Sequence, residues 1–166
     1  LCMRDEEIEA VKAFVQGGGH LYISGRTAPR LVEEIFEAEY QGLIEECNSY
    51  MAPTEKGAYI MPEYTKDYPL PLFTRQVKLS GSGRGEVLAT VTLPYTLPPQ
   101  HFVPGGVDVT YRVEKGAESH PSYPFASIHS NPPGKATTLP AMMRTAYGKG
   151  RVIWVAAPIE SAMRPH

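Results

Sequence analysis

The sequence has only two cysteines, Cys2 and Cys47, among its 166 residues. Two thiols are too few for a disulfide framework, and neither lies in a Cys-x-x-Cys motif or in a Cys/His cluster with metal-ligand spacing. No apolar run approaches the roughly 20 residues of a membrane-spanning helix, and the acidic start is unlike a signal peptide. We therefore expect a cytoplasmic chain that has no membrane partner and no stabilising disulfide.

An excess of positive charge is also absent, since 16 basic residues face 18 acidic ones and the net charge is −2. Nucleic acid is therefore not expected as a partner. The five histidines are scattered along the chain, so no metal site and no cofactor are expected. The length and the 42% apolar content suit one globular domain over residues 1–166.

The first 25 residues predict a helix followed by a strand. Asp5 is the expected N-cap, and Gly17 or Gly18 is the expected C-terminal residue of the helix. Apolar residues at helical spacing form the inward stripe, namely Ile8, Val11 and Val15, widened by Phe14. Residues 20–25 then predict a central strand of a mostly parallel sheet.

A second helical region is expected over residues 29–47, with a break near Gly42. Residues 53–140 form a Pro/Gly/Tyr-rich region of strands and loops, in which short extended segments are expected at 57–61, 75–79, 86–93, 107–113 and 125–130. Gly148 and Gly150 predict a hairpin whose second arm, residues 152–157, is apolar enough for burial on both faces. The chain opens with a helix almost at once and closes where an α/β domain would add a covering helix after this arm, so we expect it to be incomplete at both ends and part of a larger polypeptide.

The candidate ligand-binding residues follow the first strand or lie in a polar loop. Ser24 at the strand end has glycine on one side only, which is a weak match to a nucleophile elbow. Arg26 and Thr27 could bind an anion or a sugar at the carboxyl edge of the sheet, together with His129 and Asn131. We predict a ligand site here and no catalytic residue.

Two other patterns do not predict a functional site. Residues 17–19 are three glycines, but they follow a helix and precede a strand, which is the reverse of a phosphate-binding loop. Glu160 is the one carboxylate that comes directly after a buried strand, and glycoside hydrolysis needs two. The glycines are therefore interpreted as a helix end, and Glu160 alone predicts no catalytic pair.

Four stretches together are similar to a known family: EEIEAVKAFVQGGGHLYISGRTA, GEVLATVTLPYT, FASIHSNPPG and AYGKGRVIWVAAPIE. They resemble the class I glutamine-amidotransferase-like domain of bacterial glycoside hydrolases, of the β-galactosidase trimerisation type. The resemblance implies a flavodoxin-like α/β fold with helices flanking a mostly parallel sheet and added hairpins in the middle. It also implies a non-catalytic role beside the catalytic barrel of the parent chain.

True members with amidotransferase activity place a cysteine between glycines at a strand-to-helix elbow, and neither cysteine here has that setting. Three hypotheses remain open: an oligomerisation module, a carbohydrate-binding module that uses the Tyr/Pro-rich middle, and a degenerate amidohydrolase or esterase that uses Ser24. We also predict self-association as a dimer or trimer. The surface would be the exposed side of the sheet or the aromatic middle, and not the acidic helix.

Overall fold

The computed structural model describes residues 3–46, 48–81, 83–95 and 132–162. The helices in these ranges are α1 (Asp5–Gln16), α2 (Pro29–Phe36) and α3 (Ile159–Ala162). The strands are β1 (His20–Ser24), β2 (Glu39–Leu43), β3 (Ser49–Pro53), β4 (Leu70–Leu72), β5 (Val77–Ser80), β6 (Glu86–Pro94), β7 (Pro133–Tyr147) and β8 (Gly150–Val155). None of the helices in the described part of the chain is long and apolar enough to cross a bilayer.

The main sheet has six strands in the order β1-β8-β7-β6-β3-β4, and β2 pairs with β5 in a separate ribbon. Only β1 and β8 run parallel, while the other neighbours in the main sheet are antiparallel. The α/β character is confirmed, but the described strands are not the mostly parallel sheet that we expected. A parallel neighbour needs a long crossover, whereas β7 and β8 are joined by a tight hairpin. Among the strands that the structure describes, β1 lies at one edge of this sheet and not at its centre, where we expected it.

Helix α1 matches its expected position. It begins at Asp5, but the N-cap is Arg4, whose backbone N–H donates to Oε2 of Glu7 at 2.8 Å. The C-terminal turn uses Gly18, which has a φ of +119°. The predicted cap was therefore one residue too late, and one of the two predicted glycines provides the positive φ.

The apolar stripe of α1 packs inward. Ile8 and Val15 are buried and Val11 is partly buried against the same core. Phe14 is 59% exposed, so its predicted place in the stripe was wrong. Its ring instead covers Gly19, where an added Cβ would lie 2.3 Å from Phe14 Cε1.

The second helical region is shorter than expected. Helix α2 ends at Phe36, because Glu37 takes up a left-handed conformation with a φ of +54°. The next residues form β2, which pairs with β5 and shifts register between Tyr40 and Leu43. Gly42, with a φ of +89°, marks this irregularity in a strand and not a break in a helix.

The middle and the hairpin agree in part with the expectations. Strand β6 confirms the segment at 86–93, and β5 covers most of 75–79. Residues 57–61 form turns instead, closed by the Ile60 N–H donating to the Gly57 carbonyl at 2.9 Å. The segments at 107–113 and 125–130 lie outside the described residues.

The β7–β8 hairpin is confirmed, with Arg144 opposite Ile153 and Tyr147 opposite Gly150. Trp154 in β8 is fully buried, but Ile153 is 37% exposed. The expected burial of this arm on both faces was therefore wrong at Ile153.

Two apolar clusters lie on the sheet. One contains the inward faces of α1 and α2 with Val152 and Trp154, and the other contains Met51, Leu88 and Val91. Ion pairs join the helices, since Glu34 of α2 accepts from Lys12 of α1 at 2.9 Å. These contacts hold β1 and β8 in place and so fix the edge at which both strands end.

Candidate functional site

A cleft of about 700 Å³ opens where β1 and β8 end. Because these strands are parallel, their carboxyl ends meet at the same edge, which is where open α/β sheets bind ligands. Ser24, Arg26 and Thr27 line one side of the cleft. Phe73, Thr74 and Arg75, from the segment between β4 and β5, line another, and Glu160 of α3 lies in the same cleft.

The structure therefore brings together three of the five predicted ligand-binding residues, namely Ser24, Arg26 and Thr27. They share the cleft because β1 ends at Ser24 and the chain turns sharply at Gly25, which has a φ of +55°. The Gly25 N–H donates to the Val155 carbonyl at 2.9 Å and ties this turn to the end of β8. His129 and Asn131 lie outside the described residues.

Glu160 connects α3 to β1 through two hydroxyl groups. The Tyr22 hydroxyl donates to Oε2 of Glu160 at 3.0 Å. The Ser24 hydroxyl donates to the other carboxylate oxygen, Oε1. Tyr22 and Ser24 are two positions apart on β1, so their side chains point to the same face of the strand and reach one carboxylate.

These contacts change the acidity of both partners. The Ser24 hydrogen bond is the main reason why the pKa of Glu160 is lowered, and its own backbone N–H and the Tyr22 hydroxyl add to the effect. Burial, with the neighbouring Glu160 carboxylate second, raises the pKa of Tyr22 to about 12. At neutral pH the carboxylate is therefore ionised and the phenol is protonated.

Arg26 and Arg75 differ from several other arginines of the described chain in having no ion pair. Both side chains are exposed. Neither forms an ion pair or a side-chain hydrogen bond within the described part of the chain, whereas Arg30, Arg84 and Arg144 each pair with a carboxylate. Two guanidinium groups therefore line the cleft with donors that no described side chain occupies.

The backbone at Ser24 differs from that of a nucleophile elbow. Ser24 is a regular strand residue in register with Val155. The positive φ values belong to Gly25 and Ala28, not to the serine. An elbow places the nucleophile itself at the strained turn, so this geometry does not present Ser24 as an elbow would.

Sequence reasoning missed Thr74 and Arg75, which come from a segment about 50 positions after Ser24 with no recognisable motif, whereas Phe73 belongs to the Tyr/Pro-rich middle that was considered for sugar binding. Glu160 was singled out by its place after a strand, but its bonds to Tyr22 and Ser24 were not expected. Among the described residues no group of three or more His, Cys, Asp or Glu side chains could hold a metal ion.

No family model and no curated protein matches the chain. Solved structures do resemble it. It aligns over 93% of its length with 18% of a cold-adapted β-galactosidase chain from Rahnella sp. R3, at a TM-score of 0.51 and 17% identity. It aligns over 93% with 19% of α-L-fucosidase isoenzyme 2 from Paenibacillus thiaminolyticus, at a TM-score of 0.54 and 18% identity.

A cytoplasmic protein from Salmonella typhimurium LT2 also resembles it, with 99% of this chain aligned to 52% of that one at a TM-score of 0.54 and 14% identity. At these identities the similarity is one of fold. The chain spans about a fifth of the length of the two glycosidases.

Proposed function

We propose that this chain is a non-catalytic, oligomerisation-type domain of a larger bacterial glycoside hydrolase that acts in carbohydrate breakdown. The observation that carries the proposal is the alignment of nearly the whole chain with about a fifth of a β-galactosidase and of an α-L-fucosidase. The remaining four fifths of those chains leave room for a catalytic domain. The amidotransferase-like sequence stretches support the same assignment, of the β-galactosidase trimerisation type.

The chemistry of the cleft is consistent with a non-catalytic role. Glycosidases use two carboxyl groups about 5 to 9.5 Å apart. Among the described residues that line the cleft, Glu160 is the only carboxylate. One carboxylate cannot serve both as the acid and as the nucleophile or base.

Ser24 also lacks the partners of a nucleophile. Its hydroxyl donates a hydrogen bond to the Glu160 carboxylate. Because the pKa of Glu160 is lowered, this carboxylate is a weak base. No histidine is among the described residues that line the cleft. The esterase or amidohydrolase alternative therefore gains no support from the geometry.

Exposed aromatic side chains favour the oligomerisation role. Tyr68 and Tyr95 are 79% and 71% exposed, and both lie outside the α1 surface. Tyrosine is enriched in protein interfaces, because it buries a large area while its hydroxyl stays polar. The partners proposed are other copies of the chain and the catalytic domain of the parent protein.

The non-catalytic part is tested by incubating the purified chain with nitrophenyl galactosides, fucosides and mannosides and then with a fluorophosphonate probe. We expect no release of nitrophenol above buffer and no label on Ser24. Hydrolysis that Glu160→Gln abolishes, or labelling that Ser24→Ala abolishes, would contradict the proposal. An unchanged thermal unfolding midpoint would show that each variant is folded.

A further inference from the structure

The cleft at the ends of β1 and β8 has the opposite charge to the chain as a whole. The sequence carries a net charge of −2. Among the described residues that line the cleft, the ionisable ones are Arg26, Arg75 and Glu160, so two positive charges meet one negative charge. A guanidinium group binds carboxylates and phosphates through paired N–H donors, and within the described ranges neither guanidinium group here has a side-chain partner.

The carboxylate in the cleft does not neutralise either arginine. Glu160 forms no ion pair with Arg26 or Arg75, and its two oxygens accept from Ser24 and Tyr22. Each carboxylate oxygen can accept more than one hydrogen bond, so Glu160 can still receive a ligand hydroxyl. The cleft therefore combines anion-binding groups with an acceptor for hydroxyls.

An aromatic ring completes the set. Phe73 lines the cleft and is 79% exposed. A ligand that covered this apolar ring would remove it from water, which is favourable in free energy. Thr27 and Thr74 add hydroxyl groups beside the two arginines. A volume of about 700 Å³ is within the range of small-molecule sites.

We propose that this cleft binds an anionic sugar, that is, a small polyhydroxylated ring that carries a carboxylate or a phosphate. Arg26 and Arg75 hold the anionic group, Phe73 packs against the ring, and Glu160 accepts from a ring hydroxyl. This site goes beyond the proposed function and does not depend on it, because an anionic sugar can bind whether or not the chain belongs to a glycoside hydrolase.

The test is isothermal titration calorimetry of the wild-type chain with four probes at low salt: galacturonate, galactose 6-phosphate, galactose and inorganic phosphate. We expect saturable binding of at least one of the two anionic sugars, weaker binding of phosphate and the weakest binding of galactose. The two anionic sugars distinguish a carboxylate ligand from a phosphate ligand. The proposal would be overturned if galactose bound as tightly as the anionic sugars. It would also be overturned if neither anionic sugar showed saturable binding.

Variants assign the contacts. Arg26→Gln and Arg75→Gln should each weaken binding of the anionic sugar about tenfold, because each removes a charge-assisted hydrogen bond. The matched control is Arg151→Gln, which removes an exposed arginine at the opposite end of the β1–β8 pair that forms no ion pair with a described residue. If all three variants weakened binding of the anionic sugar equally, the binding would reflect general charge attraction and not a specific site. Phosphate binding as tightly as the anionic sugars would overturn the ring contact assigned to Phe73.

Discussion

Glu160 links the short helix α3 to the C-terminal end of strand β1. Both of its carboxylate oxygens accept hydroxyl groups, one from Tyr22 and one from Ser24. Because α3 is only four residues long, its own backbone bonds are few and these side-chain contacts help to fix its position. Glu160 therefore determines how one wall of the cleft is placed.

The first prediction concerns the acidity of Tyr22. Replacing Glu160→Gln removes the negative charge that disfavours the phenolate, so the pKa of Tyr22 should fall from about 12 towards its ordinary value of 10. Burial remains the largest cause of the shift, so the pKa should stay above 10. Tyrosine-selective ¹³C NMR titration measures the change, with Tyr22→Phe assigning the signal.

Tyr50 is the internal control for this titration. Burial raises the pKa of Tyr50, and the two hydrogen bonds that the structure describes at the Glu160 carboxylate go to Tyr22 and Ser24, so Glu160→Gln should leave the pKa of Tyr50 unchanged. An equal fall at both tyrosines would indicate loss of structure. No change at Tyr22 would contradict the proposed contact with Glu160.

The same residues show the limit of sequence reasoning at this scale. Ser24, Arg26 and Thr27 could be placed at a sheet edge because they directly follow a β-prone segment. Arg75 and Glu160 could not be joined to them, because 49 and 136 positions separate these residues from Arg26 and Ser24. Only the pairing of β1 with β8 and the fold of the intervening chain bring them together.

At the scale of elements, the β7–β8 turn packs tightly on the end of α1. Gly148 has a φ of +62°, and a Cβ there would lie 2.6 Å from Cα of Gln16. The Lys149 N–H donates to the Gln16 carbonyl at 3.1 Å across the same contact. The obstructing atoms belong to the backbone and cannot rotate away, so this glycine is required for its small size as well as its conformation.

The second prediction compares two glycines. Gly81 has a similar φ of +67° but open space where its Cβ would be. Gly81→Ala should therefore cost only the left-handed strain, about 1–2 kcal/mol in the free energy of unfolding. Gly148→Ala should cost about 1–3 kcal/mol more, because it also forces backbone apart. Urea denaturation measures both values, and equal costs would contradict the close packing of the hairpin on α1.

Elements were predictable where local pattern and tertiary pairing agree. Helix α1 has caps and an apolar stripe, and β6 and the hairpin have β-prone runs with glycine turns. The segment at 39–43 was predicted as helix because it continues the acidic, apolar pattern of α2. Its pairing with β5 overrides that pattern, and a local sequence gives no sign of a partner 34 to 41 positions away.

At the scale of the whole molecule, the acidic residues of α1 and the most exposed tyrosines belong to different parts of the chain. The glutamates of α1 are on its outer side, where Glu7 and Glu9 pair with Arg4 and Lys12. The strongly exposed Tyr68 and Tyr95 belong to the middle region. We therefore expect copies of the chain to associate through the region that carries Tyr68 and Tyr95 and not through the acidic side of α1.

Analytical ultracentrifugation at tens of micromolar tests the oligomerisation role most directly. We predict a species with two or three times the 18.3 kDa of the chain. Tyr68→Ser with Tyr95→Ser should weaken it, whereas reversing the charges of Glu6, Glu7 and Glu9 to Lys should not. A monomer at every concentration would contradict the oligomerisation role, and an assembly that only the charge reversal disrupts would contradict the surface.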